Sequence, residues 1–116
     1  MGNIETGKKG EELAKDYLVR QGYKIIEMNK RFSRFCEIDI IAQDKNVLVF
    51  CEVKTRNSEV CGSPFEAITR SKYQNIKKGL FLYLQENSQY KKFRIDAISI
   101  VLNPQIKIKH LKNVSI

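Results

Sequence analysis

The stretch "VLVFC" followed at once by "EVKTR", residues 47–56, constrains this chain more than any other part of it. Five consecutive apolar β-formers leave a strand without a polar face, so both faces must be covered, and that calls for a layer on each side of a sheet. The strand then changes character. Glu52 and Lys54 put a carboxylate and an ammonium two residues apart, on one face.

The flanking sequence supplies the layers. Leu13, Ala14, Tyr17 and Leu18 fall at helical spacing within residues 5–21, and Gly22 is a natural left-handed stop. "YKIIEMN", residues 23–29, reads as a first strand, followed by a basic and aromatic loop, "KRFSRF". "CEIDIIAQ" and "NVLVFCEVK" are two more strands around the turn "DKN". "RNSEVCGSP" has no clear period and is expected to be a loop. Phe65, Ile68, Ile76, Leu80 and Leu84 mark a second helical region ending near Glu86, with a break around residues 69–71, where a hydroxyl can cap a new start. "KFRIDAISIVL" is a further strand, and "QIKIKHL" alternates so that Lys107 and Lys109 face water along an edge. The order helix, three strands, helix, one or two strands specifies an α/β or α+β mixed sheet with a helix on each side. One domain over residues 1–116 is expected.

Charge narrows the function. The chain carries 21 Lys and Arg against 13 Asp and Glu, a net +8, and nucleic acid is the partner such a field attracts most readily. No apolar run approaches the ~18 residues that span a bilayer. The start "MGNIETGKKGEE" is no signal peptide. A cytoplasmic protein without a membrane partner is therefore expected. Met1-Gly2 with Thr6 is an uninformative match to a myristoylation start. Cys36, Cys51 and Cys61 are odd in number and lack CxxC spacing, which argues against a disulfide framework or zinc site and for small core hydrophobes.

Register decides what the charges at the strand end can do. If the turn closes symmetrically about Lys45 and Asn46, Asp39 opposes Glu52 and Glu37 opposes Lys54; a slip of one residue would separate the pairs. Two facing carboxylates about 5 Å apart repel unless a cation lies between them. A hard divalent ion such as Mg²⁺ resolves the conflict with one or two carboxylates, water and phosphate oxygens. Lys54 beside them can orient or deprotonate water and counter phosphoryl charge. The alternative is a solvated surface with Glu37 paired to Lys54. Against it, Ile41, Leu48 and Phe50 share the face of the charges, as in a core that opens into a site.

These residues resemble a known family. Asp39, twelve residues and then Glu52-Val53-Lys54 are similar to the PD-(D/E)xK nuclease motif. More of the chain resembles the YraN family, which is similar to Holliday-junction resolvases within the restriction-endonuclease-like fold. The matching stretches are "GKKGEELAKDYLVRQGY", "NKRFSRFCEIDIIA", "VFCEVKTR", "GSPFEAI" with Lys72 after it, and "RIDAISI". The resemblance implies Asp39 and Glu52 as metal-binding carboxylates for Mg²⁺ or Mn²⁺, the Val53 carbonyl as a further ligand, and Lys54 as the catalytic lysine. It adds Glu11 to the metal site and gives Glu37 a supporting role. Cys36 stands where the family usually has Gly, Cys51 where it has Val, and Ile95 where it has Phe, departures that spare every carboxylate and the lysine.

Arg31 and Arg34, beside Phe32 and Phe35, are placed to grip a phosphate backbone and stack on a base; Arg56 and Lys72 are candidates for the same positioning role. His110, the only histidine, lies in a peripheral strand and is assigned nothing. The leading expectation is a metal-dependent DNA endonuclease acting on branched or damaged DNA, with a homodimer implied by the resolvase analogy. Its rivals are a binding module on the same fold that does not cut alone, and an interaction protein whose charges are decoration.

Overall fold

The computed structural model describes residues 3–32, 34, 36–58 and 68–115, apart from the side chains of residues 3 and 4. Met1, Gly2, Phe35, Cys61, Phe65 and the first six residues of "GSPFEAI" lie outside the described residues. The elements are α1 (Asn3–Arg20), β1 (Lys24–Phe32), β2 (Cys36–Asp44), β3 (Val47–Arg56), α2 (Arg70–Glu86), β4 (Lys92–Val101) and β5 (Lys107–Leu111). The five strands form one sheet in chain order. β3 and β4 are parallel and the other neighbours antiparallel, so the sheet is mixed.

β3 is central, paired to β2 on one side and β4 on the other, and Leu48 through Glu52 are all buried. Each helix covers one face, as the double-sided apolar strand requires. Ala14 and Leu18 of α1 pack with Ile40, Ala42, Val49, Cys51, Ile98 and Ile100. Ile76, Leu80 and Tyr83 of α2 pack with Ile41, Leu48, Phe50 and Ile95 on the other face.

Local signals account for the helix ends. At the end of α1 the Tyr23 N–H donates to the Leu18 carbonyl at 2.9 Å and the Gly22 N–H to Val19 at 3.0 Å. Gly22 takes φ 94, the left-handed position that such a closure needs. At the start of α2 the Thr69 hydroxyl caps the helix, accepting from the Lys72 N–H at 3.1 Å. Ile68 precedes that cap and is not helical.

β1 is longer than the sequence suggests. Lys30, Arg31 and Phe32, expected in a loop, pair with Ile38, Glu37 and Cys36. Burial of Phe32 drives the extension: its ring enters the α2-side core and stacks on Phe50 with centroids 5.8 Å apart. Phe32 is thus a core residue and not a platform for a base.

One irregularity positions the site. Residues two apart on a strand share a face, yet Ile40 joins the α1-side core and Ile38 the α2-side core. The strand pair rotates between them, at Asp39. Opposite, Asn29 adopts φ 54, a left-handed conformation that asparagine tolerates better than most residues.

Candidate active site

The β2–β3 turn closes on Lys45 and Asn46, with Asp44 opposite Val47 and the pairing continuing in register to Ile40 opposite Cys51. Next in line stand Asp39 and Glu52. If the ladder continued, the Val53 N–H would meet the Ile38 carbonyl; instead it donates to Asp39 Oδ2 at 2.7 Å. A side chain has replaced the backbone acceptor where the strands rotate apart. In an extended strand the N–H and C=O of one residue point the same way, so the Val53 carbonyl faces the same side.

Glu52 is 8% exposed, deep for a carboxylate. Its Oε1 contacts the ammonium of Lys72, which reaches over from the first turn of α2. Its Oε2 is buried without a donor among the described residues. The neighbouring Asp39 can serve it only when one of the two carboxyls carries a proton. Burial, and then the charge of Glu52, pushes the Asp39 carboxyl up to about 8 against the pull of the Val53 amide. Burial likewise raises Glu52, offset by Lys72 and Lys54.

α1 brings a third carboxylate. Glu11 is raised by burial, pulled back by a hydrogen bond from Asn29, and pushed up again by the charges of Glu37 and Glu52. Its reach depends on Gly10, where a Cβ would lie 2.7 Å from Thr55 Cβ on β3. Glycine inside a helix ordinarily costs ~0.5–1 kcal/mol relative to alanine, and here it allows the helix to touch the strand. The Thr55 Cβ is fixed by the backbone of β3, so no side-chain rotation relieves the contact. Gly10→Ala is therefore expected to destabilise the fold by about 1–3 kcal/mol despite its better helix propensity. Urea denaturation reads this directly, and a variant as stable as the wild type would refute the contact.

The other expected residues divide between the cluster and its margins. Lys54 is exposed and lines a groove of about 430 Å³ with Thr6, Gly7, Glu11, Arg56 and Asn57. A second cleft, of about 260 Å³, is lined by Glu37, Thr69, Ser71, Lys72 and Asn75. Glu37 does not pair with Lys54 across the hairpin; it lies 3.8 Å from Arg31 of β1. Extension of β1 explains the change, because Arg31 becomes the residue opposite Glu37. Arg34 is exposed beyond the end of β1. Cys36 is buried, its thiol pushed up to about 11 chiefly by burial, and its bulk is met across the core by Gly79, where a Cβ would lie 3.4 Å from the sulfur. Among the described residues, no three His, Cys, Asp or Glu side chains gather into a ready-made metal cage.

A second polar centre lies on the α1 side, built from residues the sequence reading left without a role. Asp96 is fully buried and accepts from Arg94 Nε at 2.9 Å and the Asn113 N–H at 2.9 Å, with His110 Nε2 at 2.7 Å. The His110 Nδ1 lies 3.0 Å from the Tyr17 hydroxyl of α1. Arg94 also donates to Tyr23 at 2.6 Å and Asp44 at 3.2 Å. His110 is thus a structural link from edge strand β5 to β4 and α1. The visible signal was "RID" inside an apolar strand: a carboxylate that would be buried demands partners.

A mixed five-stranded sheet, covered by one helix on each face, with the carboxylates of Asp39 and Glu52 next to each other where the β2–β3 pairing ends, defines an α/β domain with paired carboxylates at the end of its central strand. The chain belongs to UPF0102: residues 10–100 match the family described as "Uncharacterised protein family UPF0102". A UPF0102 protein of Clostridium botulinum (strain Loch Maree / Type A3) is 44% identical over 116 residues, covering 96% of this chain and 94% of the relative. Another, of Thermodesulfovibrio yellowstonii, is 44% identical over 113 residues, covering 97% of each chain. No helix among the described residues is long and apolar enough to cross a membrane.

Proposed function

We propose that this protein is a metal-dependent nuclease of the YraN and resolvase-like group, on a restriction-endonuclease-like core, hydrolysing phosphodiester bonds in branched or damaged DNA. One observation carries the reading: Glu52 holds a buried oxygen without a donor among the described residues, beside Asp39, while its strand neighbours Val53 and Lys54 line a groove with Glu11. Buried carboxylates crowded together raise one another's proton affinity and are costly without a cation. Hard oxygen donors of this kind suit Mg²⁺ or Mn²⁺, which commonly takes only one or two carboxylates. That the described residues form no full protein cage is compatible with such a site.

Asp39, Glu52, the Val53 carbonyl and Glu11 would hold the ion. When bound, Mg²⁺ or Mn²⁺ supplies positive charge that polarises the phosphodiester and lowers the pKa of an attacking water. Lys54, on the groove side, orients that water and counters charge growing on the phosphate oxygens. Arg56 in the same groove, with Arg31 and Arg34 at the margin, positions the backbone through sequence-independent contacts. The net charge of +8 supplies salt-sensitive affinity.

The test is cleavage of a four-way DNA junction with Mn²⁺ or Mg²⁺ by the wild type, Glu52→Gln and Lys54→Ala. Divalent-dependent cutting by the wild type, lost in both variants with the fold intact, is expected. Equal cutting by all three would overturn the assignment. The contact of Lys72 with Glu52 favours a second reading, a nucleic-acid-binding module whose carboxylates are neutralised internally; it predicts salt-sensitive binding that divalent ions leave unchanged.

A further inference from the structure

The charge balance at Glu52 carries a step beyond the nuclease reading, on which it rests. The ammonium of Lys72 contacts Oε1 of Glu52, the carboxylate whose other oxygen has no donor among the described residues. It supplies positive charge beside the neighbouring carboxylates Asp39 and Glu52, the place a divalent ion would take. Yet Lys72 is not a buried residue: its side chain is 43% exposed, whereas that of Glu52 is 9% exposed. A flexible four-carbon stem on the first turn of α2 can release Glu52 without unfolding anything. The polar cleft that it lines, with Thr69, Ser71 and Asn75, gives the released ammonium somewhere to go.

We propose that Lys72 is a resident counter-cation that occupies the carboxylate site until a divalent ion displaces it, and that a nucleic-acid phosphate entering the cleft draws it away. Ammonium and divalent ion compete for the same carboxylate, so Lys72 weakens ion binding in the free protein. A phosphate in the cleft offers the ammonium another anion and removes the competitor. Ion and nucleic acid then bind with positive coupling, and by linkage each tightens the other by the same factor. The site would be armed by its substrate, which limits idle hydrolysis.

Calorimetric titration of Mn²⁺, in the absence of nucleic acid, tests this on the wild type, Lys72→Gln, Lys72→Arg and the double variant Asp39→Asn, Glu52→Gln. Lys72→Gln is expected to bind Mn²⁺ about tenfold more tightly than the wild type or more, equivalent to ~1.4 kcal/mol. Lys72→Arg, which keeps the charge, is expected to stay weak. Lys72→Met is a second neutral variant should glutamine disturb the fold. A short single-stranded oligonucleotide is expected to tighten Mn²⁺ binding in the wild type and to lose most of that effect in Lys72→Gln. Mn²⁺ binding that depends on the carboxylates but is unchanged or weakened by Lys72→Gln would overturn the displacement while leaving the nuclease reading in place. Binding that survives in the double variant, or is missing from every protein, would overturn both.

Discussion

Replacing Asp96 by alanine is expected to cost the fold roughly 3–5 kcal/mol, the range for removing one partner of a buried ion pair. The loss is large because the carboxylate is fully buried and serves Arg94, His110 and the Asn113 amide at once. Without it the Arg94 guanidinium, 15% exposed, keeps Tyr23 and Asp44 among the described residues, and the edge strand β5 loses the link through His110. At several degrees per kcal/mol for a domain of this size, the melting temperature should fall by more than ~10 °C. Asp96→Asn separates charge from shape. Burial alone would raise the Asp96 carboxyl, but hydrogen bonds from His110, Arg94 and the Asn113 amide outweigh it and hold it below its ordinary 3.8. A carboxyl lowered on folding contributes stability that is present above its unfolded pKa and is lost as pH falls through its folded pKa. The stability gap between wild type and Asp96→Asn should be full at pH 7 and shrink below about pH 4. Urea denaturation at pH 7 and pH 3 measures the gap at both ends, and a gap that does not shrink would refute the charge-based account.

This network marks where sequence reasoning stops. Periodicity and punctuation located the elements because their causes are local: Gly22 ends α1, a hydroxyl at Thr69 starts α2, and alternating lysines label β5 as an edge. The neighbourhood of Asp39 and Glu52 was legible too, since a two-residue turn and the alternation of strand faces determine who stands opposite whom. What escaped depends on contacts between distant segments. Nothing near His110 points to Asp96, 14 residues earlier, or to Tyr17, 93 residues away. "KRF" looks like a loop until Phe32 finds Phe50, and that extension turns Arg31 toward Glu37. Gly10 shows its purpose only against Thr55, and Lys72 only against Glu52. Even the rotation at Asp39 violates the alternation that made its pairing with Glu52 legible. Local rules tend to break where function asks for a geometry they do not supply.

Asp39→Asn should therefore push stability and activity in opposite directions. In metal-free buffer at pH 8, the variant is expected to be more stable than the wild type by about 1–3 kcal/mol, because it removes one of two neighbouring carboxylates from a largely buried setting. The substitution is nearly isosteric, and the asparagine oxygen can still accept from the Val53 N–H, which Asp39 Oδ2 now does at 2.7 Å. The strand rotation is thereby preserved. Adding millimolar Mg²⁺ or Mn²⁺ should raise the melting temperature of the wild type and leave that of the variant unmoved, since binding to the folded state alone stabilises it. Cleavage should fall by at least about 10³-fold, the scale of the several kcal/mol a bound ion contributes to a phosphoryl transition state. Thermal melts in EDTA and in divalent ion, run on both proteins, decide the matter without a known substrate. A variant less stable than the wild type in EDTA would mean that Asp39 serves the fold through its hydrogen bond alone. Equal stabilisation of both proteins by the ion would place ion binding away from Asp39 and leave the carboxylates without the role proposed for them.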